Sequence, residues 1–213
     1  MGCSRRWLIL LFTLCSVSAL FDIFYTVAAG AVFTHWGRAV CPKQSSVLDS
    51  GFVGGSHYYV AGGSSGYLCL SSAPEFHSEQ QSIGIFMTQI ASTEYDHIYT
   101  PRDLHNQNVP CAVCLADRRA ALVTLTGRLT CPDIEWTVEY TGFLMTAPEG
   151  SEDRKRSSYL CVSDRMEAIP GMDGDSHGAL LSKTYIDCSG WGDTGMCPPY
   201  FTNKTLACVV CTK

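Results

Sequence analysis

The stretch Pro110-Cys111-Ala112-Val113-Cys114 decides how this chain is read, because it returns near the end as Ala207-Cys208-Val209-Val210-Cys211. Each C-x-x-C closes a unit that opens on the phrase Gly-Arg-x-x-Cys-Pro. The openings are Gly37-Arg38-Ala39-Val40-Cys41-Pro42 and Gly127-Arg128-Leu129-Thr130-Cys131-Pro132, at a constant offset of 90 residues. Between opening and close lies a third shared phrase, Tyr67-Leu68-Cys69-Leu70 and Tyr159-Leu160-Cys161-Val162. The repetition implies two copies of one disulfide-framed module.

Composition sets the compartment and excludes some partners. The chain has 213 residues, 46% hydrophobic and 16% charged, enough for one large domain or two small ones with real cores. Net charge is −5 and the longest basic run is Arg154-Lys155-Arg156. A role on nucleic acid is therefore not expected. The first residues have the pattern of a secretory leader: Arg5-Arg6, then an apolar run from Trp7 to Val17. Small-residue cleavage patterns follow at Val17-Ser18-Ala19 and at Ala29-Gly30-Ala31. The leader is placed at residues 1–31, with Ala19 as the earlier site. Asp22 would be costly at mid-bilayer, which favours a cleaved leader over a signal anchor and leaves no membrane segment afterwards.

Of the twelve cysteines, Cys3 and Cys15 fall in the leader and ten remain. An even number in an oxidising compartment can pair completely. Asn203-Lys204-Thr205 is an N-glycosylation sequon, with Asn203 the acceptor.

After the leader no helix signal of ten residues or more appears. Ala121 to Thr130 is rich in β-branched residues and reads as a strand. In the second unit Trp136, Val138 and Tyr140 alternate with Thr137, Glu139 and Thr141, the period of a half-buried strand ending at Gly142-Phe143. Gly51-Phe52 is its counterpart. Ala61 to Gly66 and Glu149 to Arg156 read as surface loops. The expected class is all-β, with a first subdomain over 32–117 and a second over 118–213.

On an extended strand, two cysteines three apart point to opposite faces. Each C-x-x-C is then badly placed to bond internally and well placed to reach two upstream partners. A nested arrangement, Cys41–Cys114 with Cys69–Cys111 and Cys131–Cys211 with Cys161–Cys208, is one solution, leaving Cys188–Cys197 as a local bridge. Spacing alone allows other connectivities. A zinc site is disfavoured because the two C-x-x-C pairs lie 97 residues apart and other cysteines compete. A redox role would want a helix N-terminus, whereas the inserts here are Ala-Val and Val-Val.

The order Cys-Pro, Gly-aromatic, x-Cys-Leu, Cys-Ala-Val-Cys, all repeated once, resembles the C-terminal non-collagenous domain of type IV collagen. It is closer still to the tail of short-chain, spongin-type collagens. The resemblance runs from about Val32 to Lys213 and implies two similar β subdomains. It also implies the nested pairing of all eight framework cysteines, and association into larger extracellular assemblies. The chain departs from the family in having no Gly-X-Y tract, so it cannot form a collagen triple helix. Cys188 and Cys197 lie further downstream than the family's small bridge.

Other constellations carry less. Asp173-Gly174-Asp175-Ser176-His177 is oxygen-rich but lacks the twelve-residue calcium loop and its closing Glu. The six histidines, His35, His57, His77, His97, His105 and His177, show no ligand spacing. Tyr58-Tyr59, Trp36 and Trp191 could stack on sugars, although they read first as core aromatics. No nucleophile elbow or phosphate loop is present. The sequence thus points to a secreted structural, assembly or adhesion glycoprotein of the extracellular matrix, with no enzymatic activity and no cofactor or metal. Its expected partners are extracellular proteins, either further copies in a homo-oligomer or collagen-related chains. The alternative is a secreted recognition module that binds glycans or microbial surfaces through loops such as Gly54 to Gly66.

Overall fold

The computed structural model describes residues 30–77, 88–99, 102–150, 155–172, 174–175, 178–188 and 197–213. The leader up to residue 29, His177 and Trp191 lie outside the described residues. The architecture is all-β, with no helix among the described residues. Ten strands follow in order: β1 Gly30–Trp36, β2 Ser46–Gly55, β3 Leu68–Ser71, β4 Ala91–Tyr95, β5 Pro110–Asp117, β6 Leu122–Thr126, β7 Thr137–Thr146, β8 Leu160–Ser163, β9 Ala179–Lys183 and β10 Ala207–Thr212. Gly30 and Ala31, placed in the leader by its boundary at 31, pair with Asp117 and Ala116 in β1.

The two C-x-x-C segments are β5 and β10, each flanked on both sides. β5 lies between β1 and β2, and β10 between β6 and β7. The registers repeat. Gly51 faces Ser71 as Gly142 faces Ser163, and Gly51 faces Cys111 as Gly142 faces Cys208. Even the irregularity recurs: each long strand has one extra residue, Leu48 against β5 and Glu139 against β10. That bulge corrects the simple alternation expected from Trp136 to Thr141. Val138 is turned outward and Glu139 inward. Both long strands also run past Gly-Phe rather than ending there, and their last residues reach β4 and β9.

The strands form one ten-stranded sheet rather than two separate ones. β8 pairs with β1 and β4 with β9, so seven strands close in the order β7-β8-β1-β5-β2-β4-β9 and back to β7. β3 hangs from β2, while β10 and β6 extend from β7. One core draws Val53, Tyr95 and Val109 together with Met145, Val162 and Leu181. The other joins Phe33 and Ala112 with Tyr140 and Val210.

Five disulfides run through these layers: Cys41–Cys114, Cys69–Cys111, Cys131–Cys211, Cys161–Cys208 and Cys188–Cys197. The first four are the nested arrangement, with Cα–Cα distances of 5.7–5.9 Å, inside the ordinary range for a bridge. Cys111 packs in one core and Cys114 in the other, as opposite faces of β5 require. Each closes a loop of 42 to 80 residues, contributing roughly 3–5 kcal/mol in the chain-entropy account.

Gly51 and Gly142 occupy equivalent, very close backbone approaches. A Cβ at Gly51 would lie 1.9 Å from the Leu70 carbonyl oxygen, and one at Gly142 2.1 Å from that of Val162. Gly142→Ala is expected to lower unfolding stability by about 1–3 kcal/mol, the usual cost of overpacking against a rigid neighbour. Gly174→Ala, where a Cβ meets nothing within 4 Å, should stay within about 0.5 kcal/mol. Urea titration of the two variants checks the contrast.

Candidate functional site

The joint between the first-unit and second-unit strands is where the polar residues gather. β1 meets β8 at Trp36 and Val162. The chain then turns at Gly37, whose φ of 83° is the left-handed region that glycine tolerates. Its N–H donates to the Pro110 carbonyl at 2.9 Å, and its own carbonyl accepts the N–H of Glu167 at 2.9 Å. Arg38 follows, donating to the Arg165 carbonyl at 3.0 Å and pairing with the Glu167 carboxylate at 2.6 Å. The Tyr95 hydroxyl donates to the Glu167 carbonyl at 3.1 Å. No local pattern in His35-Trp36-Gly37-Arg38 announces the ion pair, because its acceptor lies 129 residues away.

Behind this joint His35 is buried against the Tyr140 ring, with centroids 4.4 Å apart. The Tyr140 hydroxyl reaches the carbonyls of Thr34 at 3.0 Å and Cys161 at 2.9 Å. Nδ1 of His35 lies 2.8 Å from the Val40 carbonyl, which can only accept, so the proton sits on Nδ1. Nε2 is left buried with no hydrogen-bond partner. Burial holds the imidazole below its ordinary value, partly opposed by the Val40 carbonyl.

A second contact ties the units through Glu139, which the bulge turns inward. Its carboxylate accepts from Ser45 Oγ at 2.8 Å, from Thr212 Oγ1, and from the Arg119 guanidinium at 2.9 Å. Arg119 also donates to the Gln44 carbonyl at 2.8 Å. The connector after β5 and the loop before β2 are thus held on β7 and β10.

The third feature is a small cleft between loops of the two units, lined by Ser56, Ser64, Tyr67, Lys155, Arg156 and Ser157 among others. The Tyr67 hydroxyl donates to the Leu180 carbonyl at 2.7 Å and lies 2.8 Å from Ser157 Oγ; burial pushes it up to about 12. Lys155 donates to the Gly62 carbonyl. At the mouth, His57 and Tyr58 stack with centroids 5.2 Å apart, and Tyr58 meets Tyr59 at 4.1 Å. Tyr59 is 51% exposed, so the reading of this pair as core aromatics is corrected for that residue. Trp36 packs partly buried against the core.

Asn203 is exposed in a turn at φ 63°. Among the described residues no group of three or more His, Cys, Asp or Glu is placed to hold a metal ion, and no helix is long and apolar enough to cross a membrane. Comparison with protein-family models and with curated proteins finds no match for the chain.

The sign of the His35 effect follows from its environment. The unfolded chain takes up the proton at the ordinary value of 6.5, and the folded chain only at lower pH. The contribution to stability is therefore present above the ordinary value and is lost as pH falls through the folded one. The thermal midpoint of the wild type should drop between pH 7 and pH 5. His35→Gln should shallow that slope while keeping a donor for Val40. Differential scanning fluorimetry across that range would refute the assignment if the two slopes were the same.

Proposed function

We propose that this is a secreted structural protein of the extracellular matrix, made of two homologous subdomains, that works by self-association. Five disulfides support the compartment, because such bridges persist in oxidising surroundings. The recurring registers, bulges and cysteine pairs support descent of the two halves from one unit. The collagen-domain resemblance supports the matrix setting, although this chain lacks the triple-helical segment.

One observation carries the assembly reading. β3 and β8 hold the same place in their units, yet every residue of β8 is buried while β3 alternates between exposed and half-buried. Leu160 and Val162 are 9% and 0% exposed; their counterparts Leu68 and Leu70 are 53% and 37% exposed. β1 covers β8, and no described strand covers β3 on its outer edge. An apolar strand with an unpaired edge is a template for another chain.

In sedimentation velocity the refolded protein should run as a trimer or hexamer. Leu68→Lys/Leu70→Lys should run as a monomer with an unchanged far-ultraviolet spectrum. A wild type that stays monomeric at high micromolar concentration would sink the reading.

A second reading, a recognition module for glycans or microbial surfaces, draws on the exposed Tyr59 and the hydroxyl-lined cleft beside it. It requires binding on a glycan array that disappears in Tyr58→Ala/Tyr59→Ala. An array with no hits removes it.

A further inference from the structure

The joint between the two units exists once within the chain, but the parts for it exist twice. On the donor side Gly37-Arg38 has the copy Gly127-Arg128. The backbone is already in the same state: Gly127 has φ 73°, and its N–H donates to the Ala207 carbonyl at 2.7 Å, as Gly37 does to Pro110. A tyrosine hydroxyl stands beside each turn. A Cβ on Gly37 would lie 3.1 Å from Tyr95 Oη, and one on Gly127 2.8 Å from Tyr200 Oη.

The acceptor side is duplicated as well. Glu167 is the sixth residue after Cys161, and the sixth residue after Cys69 is Glu75. Both loops leave their strand through the same serine turn. Ser163 Oγ accepts the N–H of Arg165 at 3.2 Å, and Ser71 Oγ accepts that of Ala73 at 3.1 Å. Arg38 uses this loop twice, at the Arg165 carbonyl and the Glu167 carboxylate. Arg128 is exposed, and its one hydrogen bond among the described residues goes to Thr130 at 3.3 Å. Glu75 is exposed too, next to the exposed Phe76.

We infer that Arg128 of one copy pairs with Glu75 of a second copy, docking β6 beside β3 and repeating between chains the joint that β1 and β8 make within one. The occupant of the open β3 edge is thus the β6 edge of another copy, selected by charge and backbone complementarity. Leu122 and Leu129 on or beside β6 are exposed, as are Leu68 and Leu70 on β3, so apolar surface meets apolar surface around the pair. The predicted contacts follow the internal joint: Arg128 on the Ala73 carbonyl and the Glu75 carboxylate, and the Glu75 N–H on the Gly127 carbonyl. Two different surfaces meet, so the contact is head-to-tail and generates a ring or an open chain rather than a two-fold dimer. This inference rests on the self-association reading and specifies its joint.

The test is charge reversal with rescue, read by sedimentation velocity at 150 mM salt. Arg128→Glu and Glu75→Arg should each raise the dissociation constant at least tenfold, while Arg128→Glu/Glu75→Arg in one chain should restore association. Arg128→Gln, with milder chemistry, should weaken association in the same direction, and non-reducing peptide mapping confirms that each variant keeps its five bridges. A second arm distinguishes the geometry. Leu68→Lys/Leu70→Lys blocks one surface and Arg128→Glu/Leu122→Lys the other; each variant alone should be monomeric, and the mixture should give a 1:1 dimer. A wild type without association overturns both the self-association reading and this joint. A wild type that associates while all reversals leave it unchanged, or a variant blocked at β6 that still dimerises, overturns the joint alone.

Discussion

The constraint on which this structure depends is the two-residue period of an extended strand. It places Cys111 and Cys114 on opposite faces of β5, so one short strand is bonded to both of its surroundings, through Cys69 on one side and Cys41 on the other. β10 does the same through Cys161 and Cys131. Because these strands also lie between two neighbours in the sheet, each is held by hydrogen bonds along its edges and by sulfur across its faces. The units need no helix to cover them: the sheet closes on itself and the bridges stitch what the small cores leave loose.

Equivalent positions in the two units have diverged where their neighbours differ. Leu48 and Glu139 are the extra residues of the same bulge. Glu139 faces the other unit and is buried among Ser45, Thr212 and Arg119, whereas Leu48 is exposed. A buried carboxylate with three donors tolerates few alternative arrangements, because moving either unit strips it of partners in a site with little water. The internal joint is therefore specified by polar geometry, and the corresponding outer surface is left more apolar.

The strand class, the two-unit rhythm and the cysteine framework were legible in the sequence because each depends on local spacing. Three-residue separation on a strand says which faces the thiols take, and repeated phrases say which segments correspond. The closed barrel was not legible. It depends on β4 meeting β9 and β8 meeting β1, pairings between residues 86 and 126 positions apart that no periodicity records. The inward turn of Glu139 was hidden for the same reason: a bulge reverses the alternation, and only the partner strand reveals it. The ion pair of Arg38 was hidden because its carboxylate partner lies in the other unit. Tyr59 looked like core because aromatic residues in apolar company usually are, whereas here the ring stacks at the rim of a cleft.

The nested bridges also determine how the chain would bear tension. Pulled at Gly30 and Lys213, force would pass from Cys41 directly to Cys114 through sulfur, then along the connector to Cys131, and through sulfur again to Cys211. Everything between Cys41 and Cys114, and between Cys131 and Cys211, is bypassed. Inside these clamps only Leu115 to Thr130, 16 residues, could pay out under load, roughly 55 Å when fully extended at 3.3–3.6 Å per residue. That segment contains β6, a strand held to β10 along one edge. From Cys41 to Cys211 the protein is therefore a nearly inextensible block with one short, defined slack length.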